Sequence, residues 1–267
     1  MTCFMAAVTA SVIILLIVFL WVVTRKPQFK NITVELTSAR TSEASHFHPT
    51  NISRADFLAL MGEEHRRQVE VLPKFTATGC LFLNTPKELK RRIVEEYRKK
   101  RFMSTTSAEK DAALVEFSSE EQRPKLTWIT GSGAELDLRK WMVGALEQWS
   151  GISRLNHSAT YGVRSYQKGS KLTTHTDRYR SHVISAIIHV ERKGMVKDWP
   201  LHVLPHGASH AQAVFFSEEE DCLFYESCTV PHGRLEALDG EEYSNIFLHF
   251  MPDDWEKKAE RLMAVQR

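Results

Sequence analysis

Residues Tyr166–Asp177 read YQKGSKLTTHTD, and the tripeptide His175-Thr176-Asp177 at the end of this strand-like stretch decides how the rest of the chain is read. In an extended segment, side chains two apart point to the same face. His175 and Asp177 can therefore offer an imidazole and a carboxylate to a common point. Far along the chain, His232 follows another strand in the run Pro231-His232-Gly233-Arg234. A sheet that brings that strand end alongside the first assembles two imidazoles and one carboxylate. Such a set covers one face of a metal ion, leaves three positions open and suits Fe(II). Structural zinc sites favour thiolate-rich sets instead.

Outward from this stretch, segments 159–166, 181–191, 198–204, 211–216, 221–226 and 243–250 are short and rich in Val, Ile, Phe and Tyr. Gly, Pro, Asp and Ser separate them, the pattern of strands and turns. Upstream the period becomes helical. Thr85-Pro86-Lys87-Glu88 reads as a capping box opening a helix with the apolar stripe Leu89, Ile93, Val94 and Tyr97. A second helix is expected from about Ala134 to Ser150, with Leu138, Trp141, Met142, Ala145, Leu146 and Trp149 on one broad face. That face reads as core packing rather than a cofactor box. Helices followed by many short strands predict an α+β fold, a sandwich or jelly-roll core with N-terminal supporting helices.

The chain of 267 residues has room for one good-sized domain and an appendage. Its formal net charge of +2 gives no reason to expect nucleic acid as a partner. The basic runs Lys90-Arg91-Arg92 and Arg98-Lys99-Lys100-Arg101 fall on the first helix and read as its solvated face. Residues 1–4 form a short tail. Met5–Val23 carries no charged side chain, and nineteen residues of helix reach about 28 Å, close to a bilayer's hydrocarbon thickness. Trp21 suits the membrane interface, and Arg25 and Lys26 follow directly. A cleaved signal peptide is the rival reading, but a basic n-region is missing and the apolar run is long. The expectation is a single transmembrane helix over 5–23, a polar stem over 24–75 with a short amphipathic run at 54–69, and a catalytic domain over 76–267. The basic flank favours a cytosolic body. The sequons at Asn31, Asn51 and Asn156 favour a lumenal one, in the endoplasmic reticulum or Golgi. Four cysteines, Cys3, Cys80, Cys222 and Cys228, are too few for a disulfide framework and read as buried thiols on neighbouring strands, with a Cys222–Cys228 bridge conceivable.

Several short motifs add a resemblance. Tyr166-Gln167-Lys168-Gly169 through His175-Thr176-Asp177, Phe224-Tyr225-Glu226-Ser227, Pro231-His232-Gly233-Arg234, Leu238-Asp239-Gly240 and Tyr243–Phe250 (YSNIFLHF) resemble the prolyl 4-hydroxylase-like Fe(II)/2-oxoglutarate-dependent oxygenases. The likeness is greatest to a branch carrying HxDR, W-P-L, YES, HGR and N-x-F-x-H-F, and it covers roughly 155–252. It implies a double-stranded β-helix with iron held by His175, Asp177 and His232. It also implies 2-oxoglutarate, O2 and ascorbate as cofactors, and hydroxylation of a peptide or protein side chain such as proline. The chain departs from the pattern in three places. Where the hydroxylases place a Lys for the 5-carboxylate of 2-oxoglutarate, this chain has Glu242. Arg234, potentially on the same strand face as His232, is the best substitute, and Arg178 is the second. Leu172 replaces a family tyrosine, Tyr166 matches another, and the Gly-Gly-x-Thr segment that borders the substrate groove is missing. Two other functions stay open: a catalytically silent membrane scaffold or receptor, and an oxygenase of a lipid or small molecule. Among the remaining histidines, His202, His206 and His210 read as a solvent-exposed hairpin loop. His189 and His249 read as core imidazoles, with His249 able to reach the pocket.

Overall fold

Two antiparallel sheets form the body of the chain in its computed structural model, which describes residues 46–264 apart from Asp111 and Glu219. With strands numbered along the chain, one sheet has six. Its spatial order is β1 (Phe47–Ser53), β10 (His210–Val214), β9 (Leu201–Val203), β12 (His232–Arg234), β7 (Lys171–His175) and β4 (Val115–Glu116). The other has seven: β2 (Cys80–Leu83), β11 (Cys222–Tyr225), β8 (Ile184–Lys193), β13 (Glu242–Pro252), β6 (Leu155–Gln167), β5 (Lys125–Thr127) and β3 (Thr106–Ala108). Alternation along the strands sorts their side chains. Leu223 and Tyr225 of β11 join Phe82, Ile187, Leu201, Val203 and Val214 in a core fed by both sheets. Phe224, between them in sequence, turns the other way.

Five helices are described: α1 (Arg54–Ala59), α2 (Glu63–Val71), α3 (Lys87–Phe102), α4 (Gly133–Ser150) and α5 (Trp255–Ala264). On α4, Trp141 and Trp149 pack their rings 6.3 and 5.9 Å from Phe224, so the broad apolar face does cover the sheet. Burial of rings like these contributes roughly 2–3 kcal/mol each. The side chain of Ser132 accepts the Glu135 N–H to start α4, and Gly151 at φ 72° ends it. On α3, Leu89, Ile93 and Tyr97 are buried, and the Tyr97 hydroxyl lies 2.9 Å from Ser165 and 3.0 Å from Ser244. Arg91 pairs with Glu88 and Glu95 on the exposed side, as a solvated face should.

Several expectations are corrected. Thr85 does not cap α3: the helix starts after Pro86, one residue too late, and the Thr85 N–H instead meets Asp221 Oδ1 at 2.8 Å. From His46 onward the segment read as a stem belongs to the folded body. There β1 pairs with β10, and α1 buries Phe57 against Leu204 and Ala211. His202 and His206 are not on a solvated loop. His202 is buried on β9, and His206 packs against the buried Glu226 with a 3.3 Å contact; His210 is exposed. The described cysteines are as expected: Cys80 and Cys222, on the paired strands β2 and β11, and Cys228 are buried free thiols. The residues read as the membrane anchor, the rest of the stem and Asn31 lie outside those described. Among the described residues no helix is long and apolar enough to cross a membrane.

Candidate metal centre and its cavity

Strand β12 lies beside β7, with His232 directly opposite His175 and Arg234 opposite Leu172. The two β12 residues are two apart and their partners three apart, so β7 carries an irregularity at Thr173–Thr174. That irregularity lets both cross-strand pairs share one face. Gly233, between them, has no room for a side chain. An added Cβ would sit 2.9 Å from the Leu172 carbonyl oxygen and 3.0 Å from Thr174 Cα. The spacing H-G-R thus places two functional side chains around a backbone contact.

Just past β7 the chain leaves the sheet, and the Asp177 N–H donates to the Ser227 carbonyl at 2.8 Å. Asp177 Oδ1 then lies 3.7 Å from His175 Nε2 and 3.8 Å from His232 Nε2. One ligand atom from each of the three residues falls within 4.8 Å of the others. Both imidazoles are oriented from behind. His175 Nδ1 lies 2.7 Å from the Thr173 carbonyl, and His232 Nδ1 lies 3.0 Å from that of Val230. A carbonyl only accepts, so each Nδ1 carries the proton and each Nε2 keeps its lone pair for a metal. Burial, with His175 alongside, pulls the His232 pKa down to about 4, which keeps it in the neutral ligand form. Burial alone would raise the Asp177 pKa, but His175, His232 and His249 outweigh it and hold the carboxyl well below its usual range. Two imidazoles and one carboxylate are a donor set that fits a divalent Fe(II) ion.

The YES motif supports this cluster from β11 and its exit. The Tyr225 hydroxyl donates to Asp177 Oδ2 at 3.3 Å, and burial raises its pKa well above the usual value, so it remains a donor. Ser227 supplies the carbonyl that takes the Asp177 N–H, and its hydroxyl bonds the His182 carbonyl at 2.8 Å. Glu226 faces away and accepts from the N–H groups of Phe75 and Thr76.

The triad opens into a cavity of about 1310 Å³ lined by the inner faces of both sheets, α2 and the turn after β7. Arg234 lines it although the residue is only 1% exposed. Its guanidinium lies 4.2 Å from the Trp199 ring centroid and 4.7 Å from that of Tyr243. It donates to the Trp199 carbonyl and, with the Asn245 amide oxygen turned toward it, to Asn245 at 3.3 Å. Tyr166 is on the same cavity wall, edge-on to Trp199 at 5.1 Å, and its hydroxyl takes a 3.3 Å bond from Arg164. Arg178 lines the cavity too, but from an exposed position. Glu242 faces α3 instead, where it pairs with Arg101 and meets the Tyr97 hydroxyl at 3.3 Å. Strand parity explains the difference, since Asn245, Phe247 and His249 of β13 line the cavity while Glu242 and Ser244 do not. His249 therefore takes the pocket position: its Nδ1 is 3.6 Å from Asp177 Oδ2 and 2.8 Å from the Ser185 hydroxyl. His189 stays in the core, 3.3 Å from the Asn245 amide.

Three contributors escaped sequence reasoning. Tyr225 stood in a quoted motif without a role. His65 and Gln68, on α2, fell inside the presumed stem, where only the amphipathic run hinted at a buried face.

No family model and no curated protein matches the chain. Solved structures do. AviO1 from Streptomyces viridochromogenes superposes with a TM-score of 0.50 at 12% identity, covering 70% of this chain and 96% of that one. A Pseudomonas putida prolyl-4-hydroxylase gives 0.48 at 16%, over 69% and 98%. HygX from Streptomyces hygroscopicus, solved with nickel and 2-oxoglutarate bound, gives 0.48 at 11%, over 73% and 88%. At these identities the likeness is one of fold.

Proposed function

We propose that the chain is a non-haem Fe(II)- and 2-oxoglutarate-dependent dioxygenase with a double-stranded β-helix core. The observation that carries this reading is the convergence of His175, Asp177 and His232, with both Nδ1 atoms committed to carbonyls and both Nε2 atoms left for an ion. In this reading the three residues hold Fe(II) and leave positions for a chelating 2-oxo acid and O2. The bound metal supplies oxygen activation coupled to decarboxylation of the 2-oxo acid, with ascorbate keeping the iron reduced.

The rest of the work falls to the chain's own residues. Tyr225 holds the Asp177 carboxylate, and the Ser227 carbonyl fixes the Asp177 backbone through its N–H. Arg234 takes the far carboxylate of 2-oxoglutarate, its guanidinium packed against Trp199 and Tyr243 and its charge sheltered from water. Tyr166 sits on the same wall, and Arg178, at the mouth, is the weaker candidate for this clamp because exposure screens its charge. The cavity is far larger than a five-carbon diacid needs, which leaves room for a substrate side chain. Trp128 at 47% exposure and Tyr161 at 37% border it, a surface suited to a peptide segment presenting a residue such as proline.

Removing one of three ligands should leave the ion poorly held. Equilibrium dialysis with Mn(II) as an oxygen-stable stand-in should give one bound ion per wild-type chain and none in Asp177→Ala, with unchanged circular dichroism. Equal binding by both proteins would sink the assignment.

A further inference from the structure

His65 lies on α2, outside the stretch that carries the family resemblance, yet it lines the same cavity as the triad. Its ring centroid is 6.3 Å from that of His175, with the two planes 79° apart. One ring nitrogen is already engaged. Nδ1 receives the Thr176 N–H at 3.4 Å and lies 3.2 Å from the Thr176 hydroxyl. A ring nitrogen that accepts has no proton of its own, so the imidazole proton is on Nε2. No described residue accepts a hydrogen bond from that Nε2.

The helix that carries His65 is fastened to the metal loop one turn further on. Gln68 is 2% exposed. With its amide nitrogen turned toward the loop, it donates to the Asp177 carbonyl at 2.8 Å and the Cys228 carbonyl at 3.3 Å, and its oxygen lies 3.3 Å from the Thr176 hydroxyl. Residues three apart share a helix face, so His65 and Gln68 approach the loop together. The position of His65 is therefore tied to that of Asp177 and not to a free segment.

We propose that His65 is a ligand-binding residue of this cavity, its Nε2–H donating to a carboxylate oxygen at the metal-chelating end of the bound 2-oxo acid. The inference rests on the 2-oxoglutarate reading above. The chelating end is the one chosen because His65 packs against His175, whereas Arg234 stands opposite Leu172, further back along β7. Nε2 is a donor in the neutral ring and in the imidazolium alike, so the contact does not depend on titration of His65.

Two amide substitutions separate this role from a purely structural one. His65→Gln places an amide near the Nε2 position and gives up the Nδ1 contact. His65→Asn does the reverse. Calorimetry on the full chain loaded with Mn(II) would use two probes: 2-oxoglutarate, and pyruvate, which has the chelating end but no second carboxylate. His65→Asn should weaken both acids about tenfold, the loss of one hydrogen bond to a charged group. His65→Gln should stay within about threefold of wild type, and Mn(II) affinity should be unchanged in both. The proposal is overturned if His65→Asn binds normally while His65→Gln fails, which makes Thr176 the point of His65. It is equally overturned if Mn(II) affinity falls, if neither variant differs from wild type, or if only 2-oxoglutarate is weakened. A wild-type chain that takes Mn(II) but neither acid removes the functional reading, and this inference with it.

Discussion

His175 and His232 are equivalent in chemistry but not in how the sequence reveals them. The first announces itself through Asp177, two residues on, while the second becomes a ligand only because β12 places it opposite the first. Arg234 depends on the same pairing. Being two residues from His232, it faces the cavity whatever its charge is for, and its partners Trp199, Tyr243 and Asn245 then fix the guanidinium. Losing one member of a buried charge pair costs about 3–5 kcal/mol. Arg234→Met should therefore raise the 2-oxoglutarate concentration needed for half-saturation by roughly two to three and a half orders of magnitude, as that energy converts. Mn(II) affinity should stay near wild type. An unchanged 2-oxoglutarate requirement, measured by titration at fixed metal, would hand the clamp to Arg178. Tyr225 could not have been assigned from sequence, because its bond to Asp177 joins residues 48 apart.

Elements with strong local patterns were legible. The α4 stripe, the strands after residue 155 and the Val/Ile/Phe/Tyr alternation all reflect burial that repeats along a segment. β1 was not legible, and α2 showed only as part of the amphipathic run over 54–69, because both are short and their partners are remote: Phe47 pairs with Val214, and Gln68 reaches Asp177. The capping-box reading of Thr85 missed by one residue because Pro86, at ψ 125°, is still outside the helix. Glu226 ties down the segment between α2 and β2. Burial alone would raise its pKa, but His206, the Phe75 N–H and Thr76 outweigh that and lower it. A carboxyl lowered in the folded state stabilises fully above its unfolded pKa of about 4.3, and the contribution is lost as pH falls through the folded value. Glu226→Gln should be less stable than wild type at pH 7, by roughly 1.5–3 kcal/mol, the worth of a hydrogen bond to a charged group. The difference should shrink progressively below about pH 4. Urea unfolding at several pH values tests this, and a difference that does not change with pH would contradict it.

At the scale of the whole molecule, the cavity is assembled from both sheets and from an N-terminal helix 110 residues before the first metal histidine, counting from His65 to His175. Asn51 and Asn156 are exposed, so glycosylation is sterically open at both. With a lumenal body, glycosidase treatment of the protein from a secretory host should increase gel mobility, and Asn51→Gln with Asn156→Gln should reduce that shift. No shift in the wild-type protein would favour the cytosolic orientation suggested by Arg25 and Lys26. The central assignment is tested most directly by the succinate that the purified chain releases from 2-oxoglutarate in the presence of O2, ascorbate and added Fe(II). With an intact His175–Asp177–His232 face, succinate should form, require the added iron, and fall to background in Asp177→Ala. Succinate formed equally by both proteins, or none from a folded wild-type chain that has taken up one equivalent of iron, would contradict it.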